Sequence, residues 1–519
     1  MQIIENKALL FKTRNPAKYS VIPRSKVVSE DNGTFEVAVY WGLDEVRVLR
    51  NLGVKNTPSP IEAKYSWPGR HKPFAHQIDT SSFLTMNRRA FVFNDPGTGK
   101  TFSALWAADY LMKLGHVRRC LILCPLSIMH DAWVSSIGKS VIHRSVVAAH
   151  HTQASRRVEM VQGDYEFVVV NYDGLNLIAE EVVANGKFDL VIVDEANAYK
   201  NPSTKRWKSL NKILKPDTML WMMTGTPSAQ SPVDAYGLAK LVNPSGVPKF
   251  ATAWRDKVMA KLTKFKWVPK SGAAQAVYDA LQPAIRYTKE ECTDLPPVLT
   301  ETREIPLTPQ QVKYYRMLKD RMVMQASGET ITAVNAAAGV SKLLQISAGA
   351  AYTDDHEVVE FDCMPRLNVL LEVLEETSRK VIVFAPFRHS IETIQTYLLK
   401  HNISSEVIHG DVTVNKRTDI FKRFQTLPDP RILVVQPQAA SHGVTLTAAD
   451  TVVFYGPVMS VETYLQCIAR ADRIGQTSTN VTVIHLQGSD IEKKMFKQLE
   501  KRVAGHDILL NLYKEEINL

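Results

Sequence analysis

The sequence predicts an α/β protein with two parallel-sheet lobes, a helical insertion between them and a small N-terminal accessory domain. Three observations support this fold class. Short apolar runs recur along the chain, these runs are rich in Val and Ile without polar alternation, and helical patterns lie between them. Such runs are typical of strands buried on both faces of a parallel sheet. Alternation of strand and helix indicates α/β units.

Two sets of predicted strands define the two lobes. The first set is Ala90–Phe93, Cys120–Leu123, Phe167–Val170, Leu190–Val193 and Met219–Met223. The second set is Val381–Phe384, Val407–Ile408, Ile432–Val435, Val452–Phe454 and Val481–Ile484. Helices are expected between strands, as at Thr101–Lys113 and Ser390–Lys400. We therefore place lobe 1 at residues 71–228 and lobe 2 at residues 363–502.

The region between the lobes interrupts this alternation. Residues 229–362 are predicted to form a helical insertion and an inter-lobe connector, with an amphipathic helix at Pro309–Gln325. Residues 503–519 are predicted to form a C-terminal tail.

Residues 1–70 are predicted to form the accessory domain, with a strand at Val37–Trp41 and a helix at Asp44–Leu52. From Met1 to Lys72 the chain carries twelve Lys or Arg and seven Asp or Glu. This positive excess makes the domain a candidate for binding DNA or a protein partner.

Composition narrows the functional class. Hydrophobic residues make up 45% and charged residues 22% of the 519 residues, which is an ordinary globular balance. The net charge of +10 fits a polyanionic partner and equally fits a basic soluble protein. No cysteine pair has CxxC spacing, so neither a zinc site nor a disulfide framework is expected, and Cys120 and Cys124 are predicted to be buried thiols. We expect no secretory signal, no membrane span and a cytoplasmic location, with the protein nucleoid-associated or, in a eukaryotic cell, nuclear.

The sharpest motif is the segment Asn94–Thr101, which reads NDPGTGKT. It follows a predicted strand and opens a predicted helix, so backbone N–H groups and the helix N-terminus can hold a polyphosphate. Asn94 stands where the pattern GxxxxGK[ST] has its first glycine. The alternative is an incidental Gly-rich turn, and the flanking strand and helix favour an ATP site. The predicted ATP-binding residues of this loop are Gly97, Thr98, Gly99, Lys100 and Thr101.

The second half of an ATP site is predicted at the end of the run Leu190–Val193. Asp194 follows this run and is expected, together with Thr101, to bind Mg²⁺. Glu195 is expected to orient or deprotonate the attacking water, while Lys100 reaches the β- and γ-phosphates. An Asp-Glu pair alone would more often be a solvated strand end. Following a phosphate loop in sequence, it indicates ATP hydrolysis.

These motifs resemble those of superfamily 2 helicases, and of SNF2-type ATPases in particular. The resemblance extends over roughly Pro73–Lys501 and preserves the order of the family's motifs. It implies that the two lobes are RecA-like. The compact layout of the chain and the amino-acid sequences of its motifs V and VI resemble those of the fork-remodelling, annealing-helicase members.

Several nucleotide-site roles follow from the resemblance. Gln77, in the segment Pro73–Gln77, resembles the glutamine that reads the adenine edge. The segment Gln466–Gln476 resembles motif VI, which implies that Arg470 and Arg473 stabilise the γ-phosphate from lobe 2. Their spacing predicts that both lie on one face of a helix; the alternative is a solvent-facing basic helix. The resemblance also assigns Gly443, in the motif V segment His442–Asp450, and Gln466 to the ATP site.

The chain departs from the family pattern at three places. Asn197 replaces the usual histidine of the DEAH box, and Asp472 replaces the histidine before the second arginine. Ala440 and Ser441 stand where motif V has paired glycines. None of these changes removes a group needed for hydrolysis, although coupling across the cleft is expected to differ.

Candidate nucleic-acid contacts also follow from the resemblance. Pro125 and Ser127, upstream of Trp133, resemble motif Ia, and Val170–Asp173 resembles the next strand-contacting segment. Thr224 belongs to the segment Met223–Pro227, which resembles motif III and couples the nucleotide site to the DNA site. Lys380–Phe384 resembles motif IV.

The segment Lys249–Lys270 contains seven Lys or Arg and one acid, interleaved with aromatic residues. Lys261, Lys264 and Lys266 are candidates for the DNA backbone, and Trp254 or Trp267 could stack on an unpaired base or wedge a junction. The alternative is a helical hairpin with its aromatic residues in a local core and its lysines in water.

The function predicted from the sequence is a DNA-dependent ATPase motor that translocates on double-stranded DNA and remodels forks or displaces bound proteins. ATP and Mg²⁺ are the expected cofactors, duplex or branched DNA is the expected partner, and a monomer without membrane contact is expected. One alternative is a strand-separating DNA or RNA helicase. Another is an ATP-gated DNA sensor with little turnover, for which Glu195 and both arginines would be unnecessary.

Overall fold

The structure is a computed structural model. It describes residues 1–184, 188–225, 231–262, 267–292, 296–328, 333–352, 358–439, 444–473 and 475–500, with only the backbone of residues 127, 131, 290, 321–328 and 333–337. The chain divides into two compact units, one containing Met1–Cys292 and the other beginning at Thr293.

The first unit opens with a four-stranded antiparallel sheet of order β1-β2-β4-β3. Its elements are β1 (Gln2–Ile4), β2 (Ala8–Thr13), β3 (Ser25–Asp31), β4 (Thr34–Tyr40), α1 (Leu43–Asn51) and α2 (Ile61–Lys64). Alternate residues of β2 and β4 face a small core, whose largest buried side chain is Trp41. The predicted strand is confirmed within three residues and the predicted helix within one, and the other three strands were not predicted.

The first lobe contains a seven-stranded parallel sheet of order β13-β5-β10-β9-β6-β8-β7. Its strands are β5 (Arg89–Val92), β6 (Cys120–Cys124), β7 (Val146–Ala148), β8 (Phe167–Asn171), β9 (Leu190–Val193), β10 (Met219–Met223) and β13 (Ala284–Ile285). The central strands are fully buried, as expected for apolar runs covered on both faces. Cys120 and Cys124 are free and buried, as predicted.

Helices and one hairpin surround this sheet. The helices are α3 (Ala75–Met86), α4 (Lys100–Lys113), α5 (Ser135–Ser140), α6 (Ala154–Gln162), α7 (Tyr172–Ala184), α8 (Lys205–Ile213), α9 (Ala235–Val242), α10 (Ala251–Val258), α11 (Ala273–Ala280) and α12 (Lys289–Cys292). The hairpin pairs β11 (Met259–Lys261) with β12 (Trp267–Pro269). The hydroxyl oxygen of Thr204 accepts from the backbone N–H of Trp207 at 3.3 Å and caps the start of α8.

The second unit contains a six-stranded parallel sheet of order β14-β21-β20-β17-β19-β18. Its strands are β14 (Val298–Glu304), β17 (Lys380–Phe384), β18 (Ser405–Ile408), β19 (Ile432–Val435), β20 (Ala449–Phe454) and β21 (Val481–Gln487), and a separate pair joins β15 (Ala350–Tyr352) to β16 (Val358–Glu360). The helices are α13 (Pro309–Gly328), α14 (Ala333–Ala348), α15 (Met364–Glu376), α16 (Arg388–Lys400), α17 (Val414–Thr426) and α18 (Val461–Ile468), and residues 490–500 are also helical.

The α/β fold class and the two parallel-sheet lobes are confirmed, and two predicted boundaries are corrected. Residues 229–362 are not only an insertion and connector, because β13 joins the first sheet and β14 joins the second. Both strands are short or exposed and lack the apolar run that identified the others. The predicted tail at 503–519 lies outside the described residues. Within the described part of the chain, no helix has the length and hydropathy needed to cross a bilayer.

Candidate nucleotide site

All strands of the first sheet are parallel, so the segments that follow them meet at one edge. The phosphate loop follows β5, the acidic pair follows β9, motif Ia follows β6 and motif III follows β10. The topology therefore brings the segments of the predicted ATP site to the same edge.

The phosphate loop has the backbone that its glycines permit. Gly97 and Gly99 have φ angles of +92° and +85°, and α4 begins directly after Gly99. A Cβ atom at position 99 would lie 2.1 Å from Nε2 of Gln77 and would be strained at this φ angle, so glycine is favoured there. Lys100 Nζ donates to the backbone carbonyls of Asn94 at 2.8 Å and of Asp95 at 3.2 Å.

Gln77 is buried against this loop. Its Nε2 donates to the carbonyl of Thr98 at 3.1 Å, and its Oε1 accepts from the N–H of Phe74 at 3.1 Å. The neighbouring His76 ring nitrogen also lies 2.8 Å from the same carbonyl. Gln77 therefore positions the loop, and the adenine-reading role stays a prediction that requires its amide to change partners.

Asp194 lies immediately after β9, and its carboxylate is held on both oxygens. Trp133 Nε1 donates to Oδ2 at 3.0 Å, and the N–H of Glu195 donates to Oδ1 at 3.1 Å. Trp133 is fully buried in the π-helical turn Met129–Val134, a type of turn often found at functional sites. Burial raises the pKa of Asp194, and the charge of Lys100 together with these two hydrogen bonds opposes the rise.

Glu195 has a φ angle of +48°, in the left-handed region that residues other than glycine rarely adopt. The hydroxyl of Tyr172 donates to the carbonyls of Asp194 at 2.5 Å and of Glu195 at 3.3 Å. Tyr172 is therefore a buried support of the acidic pair, although its segment was predicted to contact a nucleic-acid strand. Such local backbone strain persists where the surrounding structure enforces it.

The electrostatics link Lys100 to the acidic pair. Burial lowers the pKa of Lys100, while the negative charges of Glu195, Asp194 and Asp95 raise it. A partly buried cation that interacts electrostatically with two carboxylates, next to a loop of glycines with positive φ, is a donor set that fits a polyphosphate and its divalent cation. Lys100 would bind the phosphates, Thr101 and Asp194 would bind Mg²⁺, and Glu195 would act on the attacking water. A bound Mg²⁺ supplies charge neutralisation at the phosphates.

Motif III packs onto the phosphate loop. The N–H of Thr224 donates to the carbonyl of Val92 at 3.0 Å, and a Cβ atom at Gly225 would lie 2.8 Å from Cδ of Pro96. Thr224 is fully buried, and its predicted contact with nucleic acid stays a prediction. Its place at the end of a central strand, beneath the phosphate loop, explains the burial.

In the second unit, Arg470 and Arg473 come together on one acceptor. Nη1 of Arg470 lies 3.0 Å, and Nη1 of Arg473 lies 3.3 Å, from the carbonyl oxygen of Val444. The prediction that both lie on a helix face is wrong, because α18 ends at Ile468. The following turn uses i→i+3 hydrogen bonds, and the carbonyl of Arg470 accepts from the N–H of Leu446 at 2.9 Å, which ends the helical ladder.

The motif VI turn is largely buried. Arg470 is 5% exposed, its Nε donates to the carbonyl of Gln466 at 2.8 Å, and Gln466 itself is buried. Burial lowers the pKa of Arg473. This burial removes the alternative of a solvent-facing basic helix. Gly443 lies outside the described residues, so its predicted role stays a prediction.

The predicted nucleic-acid residues are placed as follows. Pro125 is partly exposed directly after β6, and Ser127 is described only by its backbone. Lys261 is exposed at the end of β11, while Lys264 and Lys266 lie outside the described residues. Trp254 is fully buried with Nε1 donating to the carbonyl of Pro232 at 3.2 Å, so it cannot stack on a base.

Trp267 remains a candidate for contact with nucleic acid. It is partly exposed on β12 directly opposite Lys261, whose Nζ lies 5.9 Å from its ring centroid. The guanidinium of Arg255 lies 4.4 Å from the same centroid. The alternative of a local core is confirmed for Trp254, although the hairpin is a β-hairpin and not a helical one. Contact of the basic segment with DNA stays a prediction.

Sequence reasoning missed a set of residues that supports the phosphate loop, on and beside the edge strand β13, which pairs with β5. Asn94, at the place of the expected glycine, is 1% exposed and connects two elements. Its Nδ2 donates to Thr80 Oγ1 at 2.9 Å, and its Oδ1 accepts from the N–H of Tyr287 at 3.1 Å. Arg286 Nη1 donates to Asp95 Oδ1 at 2.7 Å. The departure at Asn94 was the one sequence signal of this support.

Comparisons with known proteins identify the family of the chain. The SNF2-related domain family matches residues 46–349, and the helicase conserved C-terminal domain matches residues 365–475. Protein CHROMATIN REMODELING 4 of Arabidopsis thaliana is 23% identical over 484 residues, which cover 84% of this chain and 21% of that protein. SWI/SNF-related matrix-associated actin-dependent regulator of chromatin subfamily A-like protein 1 of Drosophila melanogaster is 23% identical over 428 residues, which cover 80% of this chain and 53% of that protein.

Among solved structures, the Sulfolobus solfataricus SWI2/SNF2 ATPase core in complex with dsDNA is 21% identical, with a TM-score of 0.42 and coverage of 86% of this chain and 94% of that chain. The chain spans about a fifth and about half of the two relatives named above.

A phosphate loop and an acidic pair at the ends of parallel strands, followed by a second lobe with paired arginines, define a class of ATP-hydrolysing enzyme with two RecA-like lobes. Within that class, the chain belongs to the SNF2-related family of helicase superfamily 2. The family predicted from the motifs is confirmed.

Proposed function

We propose that this protein is a DNA-dependent ATPase that translocates on double-stranded DNA, with Mg²⁺ as the metal. The observation that carries the proposal is family membership combined with an intact hydrolytic set, namely Lys100, Asp194 and Glu195 at one sheet edge. A binding protein with little turnover would not need Glu195 held in a strained backbone conformation by Tyr172.

Three features support duplex DNA as the track. The chain has a net charge of +10, which favours a polyanion. The hairpin β11–β12 presents Lys261 and Trp267 at the surface beside Arg255. The relatives named above are designated chromatin-remodelling and SWI/SNF-related proteins. We further propose remodelling of forked DNA or displacement of bound proteins as the work done, by a monomer.

The deciding experiment is steady-state ATP hydrolysis without nucleic acid and with single-stranded DNA, blunt duplex, a branched fork or RNA, each at the same salt concentration. We expect duplex or fork to stimulate turnover most strongly, and their ratio ranks the two substrates. Stimulation by single strands or RNA alone would replace the proposal with a strand-separating helicase. A basal rate that no nucleic acid changes would favour the ATP-gated sensor.

Translocation itself requires a second measurement. Displacement of a triplex-forming third strand from duplex DNA reports movement along the duplex without requiring strand separation. ATP-dependent displacement is expected for the wild-type protein and not for Lys100→Ala. Duplex-stimulated hydrolysis without displacement would contradict translocation while leaving the ATPase assignment intact.

A further inference from the structure

Residues 283–289 form a strap along the phosphate loop. We use the term strap for these seven residues, which contain β13 and the start of α12. The backbone N–H groups of Phe91, Phe93 and Asp95 donate to the carbonyls of Pro283, Ile285 and Tyr287 at 2.9, 2.8 and 2.9 Å. The ladder therefore continues past the end of β5 and into the phosphate loop.

Side chains fasten the strap to the loop at the same place. Arg286 Nη1 donates to the carbonyl of Phe93 at 2.6 Å and to Asp95 Oδ1 at 2.7 Å. The other oxygen of Asp95 accepts from the N–H of Lys289 at 3.1 Å. Arg286 has a side chain only 2% exposed, so this ion pair is screened little by solvent.

Asn94 completes the attachment from the opposite side. Its amide joins Thr80 of α3 to the backbone of Tyr287, so the first residue of the phosphate loop lies between a helix and the strap. A glycine at position 94 could make neither hydrogen bond. The residue that breaks the phosphate-loop pattern thus connects the loop to the strap.

The strap interacts electrostatically with Lys100. In sequence, it lies just before the second unit. Burial lowers the pKa of Lys100, and the positive charge of Arg286 adds to that effect. Lys100 Nζ donates to the carbonyls of Asn94 and Asp95, the two residues that the strap holds. Three residues beyond Lys289, the first unit ends at Cys292 and the second begins.

We propose that the strap positions the phosphate loop and couples its state to the chain segment that leads into the second unit, with Arg286 as the positioning residue. A movement of Lys100 toward a phosphate changes the hydrogen bonding at Asn94 and Asp95. Those residues are bonded to the strap through main chain and side chains, so the change is passed to Arg286, Tyr287 and Lys289. This inference rests on the proposed nucleic-acid-stimulated ATPase activity.

The test compares two variants. Arg286→Met keeps the length of the side chain and removes the charged guanidinium group, and Arg286→Lys keeps the positive charge. The matched control is Arg118→Met, an exposed arginine two residues before β6, at the end of the sheet where its parallel strands begin. For Arg286→Met we expect the KM for ATP to rise roughly tenfold, as for the loss of one charge-assisted hydrogen bond. We also expect the ratio of kcat with duplex to kcat without to fall at least about threefold, with Arg286→Lys intermediate.

A purely structural role for Arg286 would give a different pattern. Partial unfolding lowers the active fraction, so kcat falls equally with and without DNA while KM stays unchanged. That pattern, or wild-type values for both KM and the ratio, would overturn the proposal. Thermal melting followed by circular dichroism checks that each variant folds.

A second variant keeps the proposal testable if Arg286→Met does not fold. Asn94→Gly restores the glycine of the phosphate-loop pattern but removes both bridging hydrogen bonds. We expect its KM for ATP to rise and its stimulation ratio to fall, and an unchanged KM and ratio would contradict coupling through the strap. If the wild-type protein shows no stimulation by any nucleic acid, the proposed function fails, and the KM comparison still tests positioning of the loop.

Discussion

At the scale of single residues, the ATP site is supported by buried groups that hold its reactive side chains. Trp133 and Tyr172 hold the acidic pair, and Gln77 and Asn94 hold the phosphate loop. Buried polar groups of this kind are costly when left without partners. The indole N–H of Trp133 is satisfied by one hydrogen bond, and Tyr172, Gln77 and Asn94 each make two.

Replacing Lys100 by Ala should lower kcat for ATP at least about a hundredfold, the usual effect of losing a charged group that stabilises the transition state. Affinity for DNA should change little, because Lys100 lies at the phosphate loop. Steady-state hydrolysis and fluorescence anisotropy measure the two effects. Lys208→Ala, on the exposed face of α8, is the control. Near-normal turnover in Lys100→Ala would disprove the site assignment.

Replacing Trp133 by Phe should alter the pH dependence of hydrolysis. Burial raises the pKa of Asp194, and the indole N–H of Trp133 opposes that rise by stabilising the carboxylate. Without this donor the pKa rises further, so the ionised form is lost at a higher pH as pH falls. We expect the acidic limb of the kcat–pH profile to move to higher pH and kcat at neutral pH to fall up to about tenfold.

An acidic limb that stays in place in Trp133→Phe would show that Asp194 does not limit the reaction at low pH. Trp207→Phe is a suitable control, because its indole N–H donates to the carbonyl of Gly237 and not to a carboxylate.

The ATP-site residues were predictable to different degrees. Lys100, Asp194 and Glu195 belong to contiguous patterns beside apolar strands, so the sequence could single them out as candidates. Trp133 and Tyr172 act through the close packing of neighbouring parallel strands, and no sequence spacing records that packing. The burial of Thr224 was not predictable, because a motif resemblance does not report burial.

At the scale of elements, the central strands were predicted within about three residues because they are apolar and bounded by polar turns. The edge strands β1 and β3 were missed, since nearly all of their residues are exposed and no apolar run marks them. The helix expected through Arg473 ends at Ile468, because the turn that follows makes hydrogen bonds to motif V. Such tertiary bonds are not encoded in the local pattern.

For the hairpin β11–β12 we predict a contribution to DNA binding. Changing Lys261, Lys264 and Lys266 together to Gln should weaken DNA binding and flatten its dependence on salt. The slope of log K against log salt should become shallower by roughly 0.9 for each DNA phosphate that the variant no longer neutralises. Binding titrations over a range of salt concentrations measure it. An unchanged slope would remove the hairpin from the DNA surface.

The control for this triple variant is the matched change of Lys205, Lys208 and Lys212 on α8, which are exposed on the same unit. It removes the same total charge. A control that flattens the salt dependence equally would show that overall charge is responsible and not the hairpin.

At the scale of the whole molecule, the N-terminal domain is part of the first unit and not a separate body. Leu43, Ile61 and Tyr65 belong to the core of lobe 1. The Tyr65 hydroxyl donates to buried Asp109 at 2.5 Å, and Arg47 Nη2 donates to the carbonyl of Thr85 at 2.6 Å. The sequence indicated an accessory domain because its composition changes near residue 70, while its attachment depends on long-range packing.

Removing residues 1–60 should therefore destabilise lobe 1. We expect either loss of soluble protein or a thermal midpoint lowered by more than about 5 °C, since large apolar side chains become exposed. Removing only residues 1–5, which include the exposed edge strand β1, is the control. Wild-type melting and basal ATPase activity after removal of residues 1–60 would show that the domain is detachable.

The left-handed backbone at Glu195 determines which substitutions can trap the enzyme with ATP bound. Glutamine keeps the shape of the side chain and inherits the same backbone strain, so the neighbouring Asp194 should keep its position. A β-branched residue would be forced out of that conformation, and glycine would relax it. Structure determination of an ATP–DNA complex should therefore begin with Glu195→Gln, because a trap that also moves the metal ligand would misrepresent the state it captures.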